Sequence, residues 1–361
     1  MTKIRENTSP SARWAFVLVD LLAAVSLVGL LLMLLLPAIQ AAREATRNSQ
    51  CKHHLRELAF GCLKHENAHR TFPYSGWSFA WMGDPDQGIG PQQPGSWGYT
   101  IGRFLDVKAD FNLGAGLQFD EKKRALAKQM SIVVPVFHCP SRRPAVALPS
   151  RSAAGTPCDN GILPKNAFLP EKVAKSDYAI NGGNGSGWDG GAGGSGGVPS
   201  EDCLISNELS DGPSYPNCNW HIYSPSQYWQ RFNGVSGWRI GAHVSQISDG
   251  VSKTVLVGEK FMQPLFYENS CPSPGNQPSK GNAGDNGSMY MGWDIDIART
   301  GSLLRDYNAN PPNSIVSNQF GSAHPHAANF AFCDGSVRAI RYEVSNFARL
   351  ITRNDSDAPP L

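Results

Sequence analysis

Residues 16–36, FVLVDLLAAVSLVGLLLMLLL, contain no Lys, Arg or Pro and a single acid, Asp20. As a helix rising 1.5 Å per residue, such a run covers the ~30 Å hydrocarbon core of a bilayer. A secretory apolar region is shorter, about 7–15 residues, and ends at a small-residue cleavage site. The following sequence, PAIQAAREATRNSQC, has no clean site of that kind. Lys3, Arg5 and Arg13 precede the run against Glu6 alone, so the expected topology keeps the short N-terminus cytoplasmic and the remainder extracytoplasmic. An acid at the bilayer centre costs roughly 2.5–3.5 kcal/mol on insertion scales and survives mainly where it has a task.

Asp20 stands four residues, one helical turn, after Phe16. Cleavage between Ala15 and Phe16 would place a new ammonium group beside that carboxylate. Pro37 is expected to kink the helix, not end it, because Leu55, Leu58, Ala59 and Cys62 continue an i, i+3, i+4, i+7 stripe. His54, His65, His69, Cys51 and Cys62 share one arc of that second half, but histidines two to three turns apart cannot all reach one ion. The expected organisation is a basic leader (1–15), a transmembrane helix (16–36), its amphipathic continuation (37–69), an extracytoplasmic head (70–350) and a frayed tail (351–361).

The 361 residues are 41% hydrophobic and 17% charged, with 37 Gly and 26 Pro, a loop-rich globular composition. A net charge of +2 without a Lys/Arg cluster argues against nucleic acid as a partner. The eight cysteines form no C-x-x-C, and their wide spacing suits some structural disulfides in an oxidising compartment, with the pairing open and several buried free thiols as the alternative. FDEKKRALAKQM (119–130) is a predicted helix, acidic first and basic later. SIVVPVFHCP and TVLVGEKF are predicted strands. NFAFC and SVRAI flank Asp334-Gly335 as a hairpin with an expected type I′ turn, and EVSNFARLITRN is a predicted terminal helix.

His324, Asp334 and Gly335 are the candidate functional loop. The plain reading is a hairpin turn with His324 bonding to its loop. Carboxylates of Asp249, Glu259 and Asp334 offer a calcium site, since calcium takes six to eight oxygens in irregular geometry. A hydrolase pairing His324 with Asp334 would lack a nucleophile and an oxyanion donor, so no enzymatic activity is expected. The G-x-S-x-G at Gly193–Gly197 lies in a glycine tract, without the strand and helix a nucleophile elbow needs.

The leader, small residue, Phe and buried acid together resemble a type IV prepilin signal. That resemblance implies a prepilin peptidase that cuts before Phe16 and methylates the new amine. It also implies that Asp20 docks the chain on other pilin-like subunits within the membrane. Ala15 and Asp20 depart from the family's usual Gly and Glu. AAREATRNSQCKHHL, HCPSRR, YAINGG, SDGVSKT and His324 followed after nine residues by Asp334-Gly335 resemble, in order, a family of secreted pilin-like bacterial proteins of unknown role. HPHAAN departs from it where a pair of glycines is usual. The resemblance implies an α+β, pilin-like fold in which the long N-terminal helix packs on an antiparallel sheet with long loops. The expected role is a structural, secretion-type or fibre subunit. The alternative is an anchored module binding a solute or glycan on aromatic loops such as GWSFAW and SQYWQRF.

Overall fold

The long apolar and amphipathic pattern at the N-terminus forms a single element. Helix α1 spans Pro10–His69 with Pro37 inside it. The computed structural model describes residues 10–77, 79–150, 163–184, 233–268, 284–308 and 318–355, with the side chains of 10–19 and 119 outside that description. The chain divides into two units, Met1–Ser49 and Gln50–Leu361. In the first, Leu21, Leu22, Leu27, Leu30 to Leu36 and Ile39 are exposed. By length and composition this is a candidate membrane anchor or signal sequence. Asp20 is exposed, and Ala15 and Phe16 lie in α1 with side chains outside the described set.

In the second unit, Cys51, Leu55, Leu58, Ala59 and Cys62 of α1 are buried in the main core, as their spacing requires. The helix ends where Arg70 turns left-handed (φ 63°) and its N–H still donates to the Glu66 carbonyl at 2.6 Å. A non-glycine residue there carries a steric cost. His65 Nδ1 meets the Thr71 carbonyl at 2.8 Å just beyond the cap.

Helix α2 is Trp97–Gly102, capped by Ser96, whose hydroxyl accepts from the Tyr99 N–H. Helix α3 is Phe119–Met130, with Asp120 and Glu121 in its first turn and Lys128 in its last, complementing the helix dipole. Its Leu126 and Met130 enter the core, while Lys122 reaches across to Asp84 and Asp86 at 2.8 and 2.7 Å.

The strands are β1 (Leu148–Pro149), β2 (Lys172–Val173), β3 (Tyr178–Asn181), β4 (Ser236–Gly237), β5 (Ile240–Gly241), β6 (Val255–Glu259), β7 (Ala298–Arg299), β8 (Leu303–Arg305), β9 (Phe320–Ser322), β10 (Ala327–Phe332) and β11 (Val337–Arg341). A five-stranded sheet runs β11-β10-β6-β3-β7, antiparallel except for β3 with β7. Alternation along the strands gives it two apolar faces. Tyr178, Ile180, Val257 and Ala331 join α1 in the main core, whereas Ala179, Phe330 and Phe332 form a second core, which Val255 also enters where the β6–β10 register shifts. Phe347, Leu350 and Ile351 at the short helix α4 (Ala348–Ile351) close that second face. There Phe320, Phe330 and Phe347 stack with centroids 5.3–5.8 Å apart. Gly258 leaves the space that the Phe330 ring occupies, and a Cβ there would collide with it.

The α+β class agrees with the sequence pattern, but several local expectations change. Residues 131–140 form no strand. Pro135 supplies no N–H to a ladder and opens a one-turn 3-10 helix, Pro135–Phe137, although Val134, Val136 and Phe137 are buried. The β10–β11 turn is not type I′. Its loop is Cys333–Gly335, with the Gly335 N–H donating to the Phe332 carbonyl and the Phe332 N–H to the Ser336 carbonyl, both 2.9 Å. Only Gly335 is left-handed (φ 83°), the pattern of a type I turn with a bulge. The terminal helix is four residues long, and Ile351, Thr352 and Arg353 are buried, so the head extends past residue 350. Gly193–Gly197 and the tail beyond residue 355 lie outside the described residues.

His138 gives the head an acid-sensitive point. Burial pushes its pKa down to about 4, the nearby Asp177 carboxylate opposing only in part. An unfolded histidine titrates near 6.5, so below that pH the unfolded chain takes up a proton that the folded chain refuses. Stability is therefore full above pH 6.5 and falls by about 3 kcal/mol as pH drops to about 4. Urea unfolding of the full chain in detergent micelles, followed by Trp fluorescence across that range, should show the loss, and His138→Gln should reduce it, leaving the smaller part that burial of His54 and His65 contributes in the same direction. Identical pH profiles for the two chains would rule His138 out as its source.

Candidate functional site

The segment Cys139–Arg143, CPSRR, brings distant parts of the head together. After the Pro135 turn, the Cys139 N–H donates to Asp177 Oδ2 at 2.8 Å. The Cys139 carbonyl then accepts from the Arg142 and Arg143 amides at 2.9 and 3.2 Å. This tight turn sends both guanidinium groups inward, each 1% exposed.

Cys139 is disulfide-bonded to Cys51 of α1, with the Cα atoms 5.3 Å apart. On a chain-entropy view, a closure across 88 residues is worth about 4–5 kcal/mol. His324, in the β9–β10 loop, lies against the bridge: its Nε2 is 3.7 Å from Cys139 Sγ and 3.3 Å from Glu259 Oε1. Glu259, the last residue of β6, is fully buried. Its Oε2 accepts from the Asn329 N–H at 2.6 Å, while its Oε1 accepts no hydrogen bond. The His324 backbone is fixed on both sides, its N–H by Ser322 Oγ at 3.1 Å and its carbonyl by the Tyr342 hydroxyl at 2.7 Å. One donor atom from each of Cys51, Cys139, Glu259 and His324 lies within 4.8 Å of the other three, all buried.

Beside this cluster runs a buried ionic network. Arg142 Nε and Nη2 donate to Asp306 Oδ2 at 3.1 and 3.0 Å, and Nη2 also donates to the Lys260 carbonyl at 2.7 Å. Arg143 pairs with Asp177 Oδ1 at 2.8 Å and with Asp285 Oδ2 at 2.5 Å. Lys260 Nζ reaches Asp285 Oδ1 at 2.7 Å, and Lys175 Nζ donates to the carbonyls of Asp285 and Asn286, both at 2.8 Å. Burial alone would raise the Asp285 carboxyl, but Arg143 and Lys260 outweigh it and hold the group well below the usual carboxylate range. For Asp177 likewise, Arg143 and Arg142 overcome burial and lower the pKa. Burial brings Lys260 down to about 8, with Asp285 opposing.

The structure does not assemble the calcium set expected from the sequence. Asp249 and Asp334 lie near the Val255 end of β6: the Asp334 N–H donates to the Val251 carbonyl, and Asp249 Oδ2 accepts from the Asp355 N–H at 2.8 Å. Glu259 sits at the opposite end of β6, four residues and about 13 Å along the strand. Carboxylates so placed cannot all come within the 2.3–2.6 Å that calcium requires. His324 and Asp334 are similarly separated by the length of β10, between Ala327 and Phe332. Asp334 serves its own turn, with Oδ1 accepting from the Ser336 N–H at 2.9 Å. The arc of helix histidines also divides. His54 Nδ1 contacts the His138 carbonyl and His65 the Thr71 carbonyl, whereas Cys51 joins Cys139. Trp77 and Trp81 of the GWSFAW loop are core residues, 1% exposed and 5.2 Å apart, so they offer no sugar-stacking surface. SQYWQRF lies outside the described residues. Cys62 and Cys333 are buried and free, and Cys158, Cys203, Cys218 and Cys271 lie outside the described residues.

The molecule thus has an α+β head in which the second half of α1 is held by a disulfide and apolar burial, and an N-terminal stretch of α1 that is a candidate membrane anchor or signal sequence. A protein-family model described as "Protein of unknown function (DUF1559)" matches residues 40–346, and the chain belongs to that family. Neither a curated protein nor a solved structure matches it.

Asp285 is the carboxylate that two cations share. Replacing it with Ala leaves Arg143 and Lys260 buried with a charge uncompensated, a change that costs about 3–5 kcal/mol. Asp285→Ala should therefore lower the urea midpoint of the micelle-held chain by that equivalent. An unchanged midpoint would contradict the pairing.

Proposed function

We propose that this chain is a membrane-anchored, pilin-like structural subunit whose N-terminal helix assembles with other pilin-like helices, while its head faces away from the cytoplasm. The observation that carries this reading is the exposed apolar surface of α1 from Leu21 to Ile39. Burying a large apolar side chain is worth about 1.5–3 kcal/mol, so a surface of this size favours lipid or neighbouring helices over water. Asp20 at the head of that surface supplies the one charge that assembly can use.

In this reading a prepilin peptidase removes residues 1–15 and leaves the amine of Phe16 one turn from Asp20. The carboxylate then neutralises an ammonium, on its own chain or the next, in a medium where both charges are costly alone. The part played is structural, not catalytic, and the head is displayed on a fibre or a secretion-type complex.

N-terminal mass spectrometry of the mature chain should find N-methyl-Phe16 as the first residue. Loss of a charge-assisted contact worth about 1.5–3 kcal/mol predicts that Asp20→Asn lowers helix–helix crosslinking in cells at least about tenfold. Insertion and head folding should not change. An intact leader together with undiminished crosslinking would overturn the reading.

A further inference from the structure

We propose that, when the Cys51–Cys139 bridge is open, Cys51, Cys139, His324 and Glu259 form a tetrahedral zinc site, and that closing the bridge expels the metal. The inference does not depend on the pilin reading. The donor set is two sulfurs, one imidazole nitrogen and one carboxylate oxygen, all buried and mutually within 4.8 Å. Zinc accepts such a mixture in a closed site, whereas calcium and magnesium require oxygen.

The spacing fits as well as the chemistry. With zinc–sulfur ~2.3 Å and zinc–nitrogen or –oxygen ~2.0–2.1 Å, a tetrahedron has N···O edges of about 3.4 Å and S···N edges of about 3.6 Å. His324 Nε2 and Glu259 Oε1 are 3.3 Å apart, and Cys139 Sγ and His324 Nε2 are 3.7 Å apart. Two of the six ligand edges are therefore present already; the sulfurs must separate, and the remaining sulfur–ligand pairs, all within 4.8 Å, close onto the ion.

Glu259 supplies a second, independent indication. Its Oε2 is held by the Asn329 N–H, and its Oε1, fully buried and accepting no hydrogen bond, faces His324. A carboxylate fixed through one oxygen and presenting the other is how outer contacts orient a metal ligand. Two thiolates and one carboxylate around Zn²⁺ leave one net negative charge.

The switch balances chemically. A dithiol reductant passes two electrons and two protons to the bridge, becoming a disulfide itself and leaving two thiols on the protein. Zn²⁺ then binds both sulfurs and displaces two protons. In reverse, a disulfide oxidant takes two electrons from the zinc-bound thiolates and two protons from water. It leaves as two thiols, the Cys51–Cys139 bond forms and Zn²⁺ departs.

The test uses the full chain in detergent micelles, dialysed against zinc and then metal-free buffer, with bound zinc measured by elemental mass spectrometry. After dithiothreitol, the chain should hold one more zinc than the glutathione-disulfide-oxidised chain. It should also hold one more than Cys51→Ser in the same reducing buffer, which corrects for the other cysteines. Cobalt in place of zinc should give a thiolate-to-metal absorption band that Cys51→Ser lacks. Glu259→Gln and His324→Ala should each weaken binding at least about tenfold. If opening the bridge unfolds the head, zinc should restore its near-UV circular dichroism. Equal zinc content in the reduced, oxidised and Cys51→Ser chains would overturn the proposal. Full affinity in both ligand variants, or an unfolded reduced head that zinc does not rescue, would overturn it too.

Discussion

Two adjacent guanidinium groups, Arg142 and Arg143, lie in the interior of the head, and much of the surrounding architecture answers that constraint. A buried cation is tolerated only when paired and hydrogen-bonded. The partners come from widely separated places: Asp177 just before β3, Lys260 just after β6, Asp285 in the loop before β7, and Asp306 just after β8. The short strands of this Gly- and Pro-rich chain bury limited area each. Shared charges fix how their ends meet, and the arrangement specifies one packing because any slip would strand a charge.

The same five-residue turn connects that network to the helix. Cys139 bonds to Cys51, while the carboxylate that receives its N–H, Asp177, also pairs with Arg143. The buried stripe of α1 therefore has a covalent as well as an apolar hold on the head. This matters for the proposed function. Were the helix to pack in a membrane or fibre as proposed, α1 would be its connection to the head, and the Cys51–Cys139 bond would join that helix to the segment that carries Arg142 and Arg143.

Patterns with a strong period were legible in the sequence. The apolar stripe at Leu55, Leu58, Ala59 and Cys62, the helix at Phe119–Met130, strand β6 and the β10–β11 hairpin all follow from spacing alone. The SIVVPVFHCP segment misled because its apolar content reflects burial, whereas Pro135 denies it a ladder. The hairpin turn gained one residue because only Gly335, not Asp334, takes the left-handed conformation. The site was only half visible. Cys139 and His324 both stood in motifs noted in the sequence, yet nothing local ties them to each other, to Cys51 or to Glu259. The ionic network was harder still. Single charged residues in loops ordinarily lie at the surface, and the Arg-Arg pair after Cys139 carries no periodic signal that it points inward.

If Arg142 and Arg143 organise the head, irregular backbone beside them should be as protected as the central strand. The amides of Cys139, Asp177 and Met262 donate to Asp177, Phe137 and Asp306 respectively. Native-state hydrogen exchange on the full chain should show these three opening only with global unfolding, at the same free energy as the Val257 amide of β6. Exchange by a separate, low-energy opening would contradict the account.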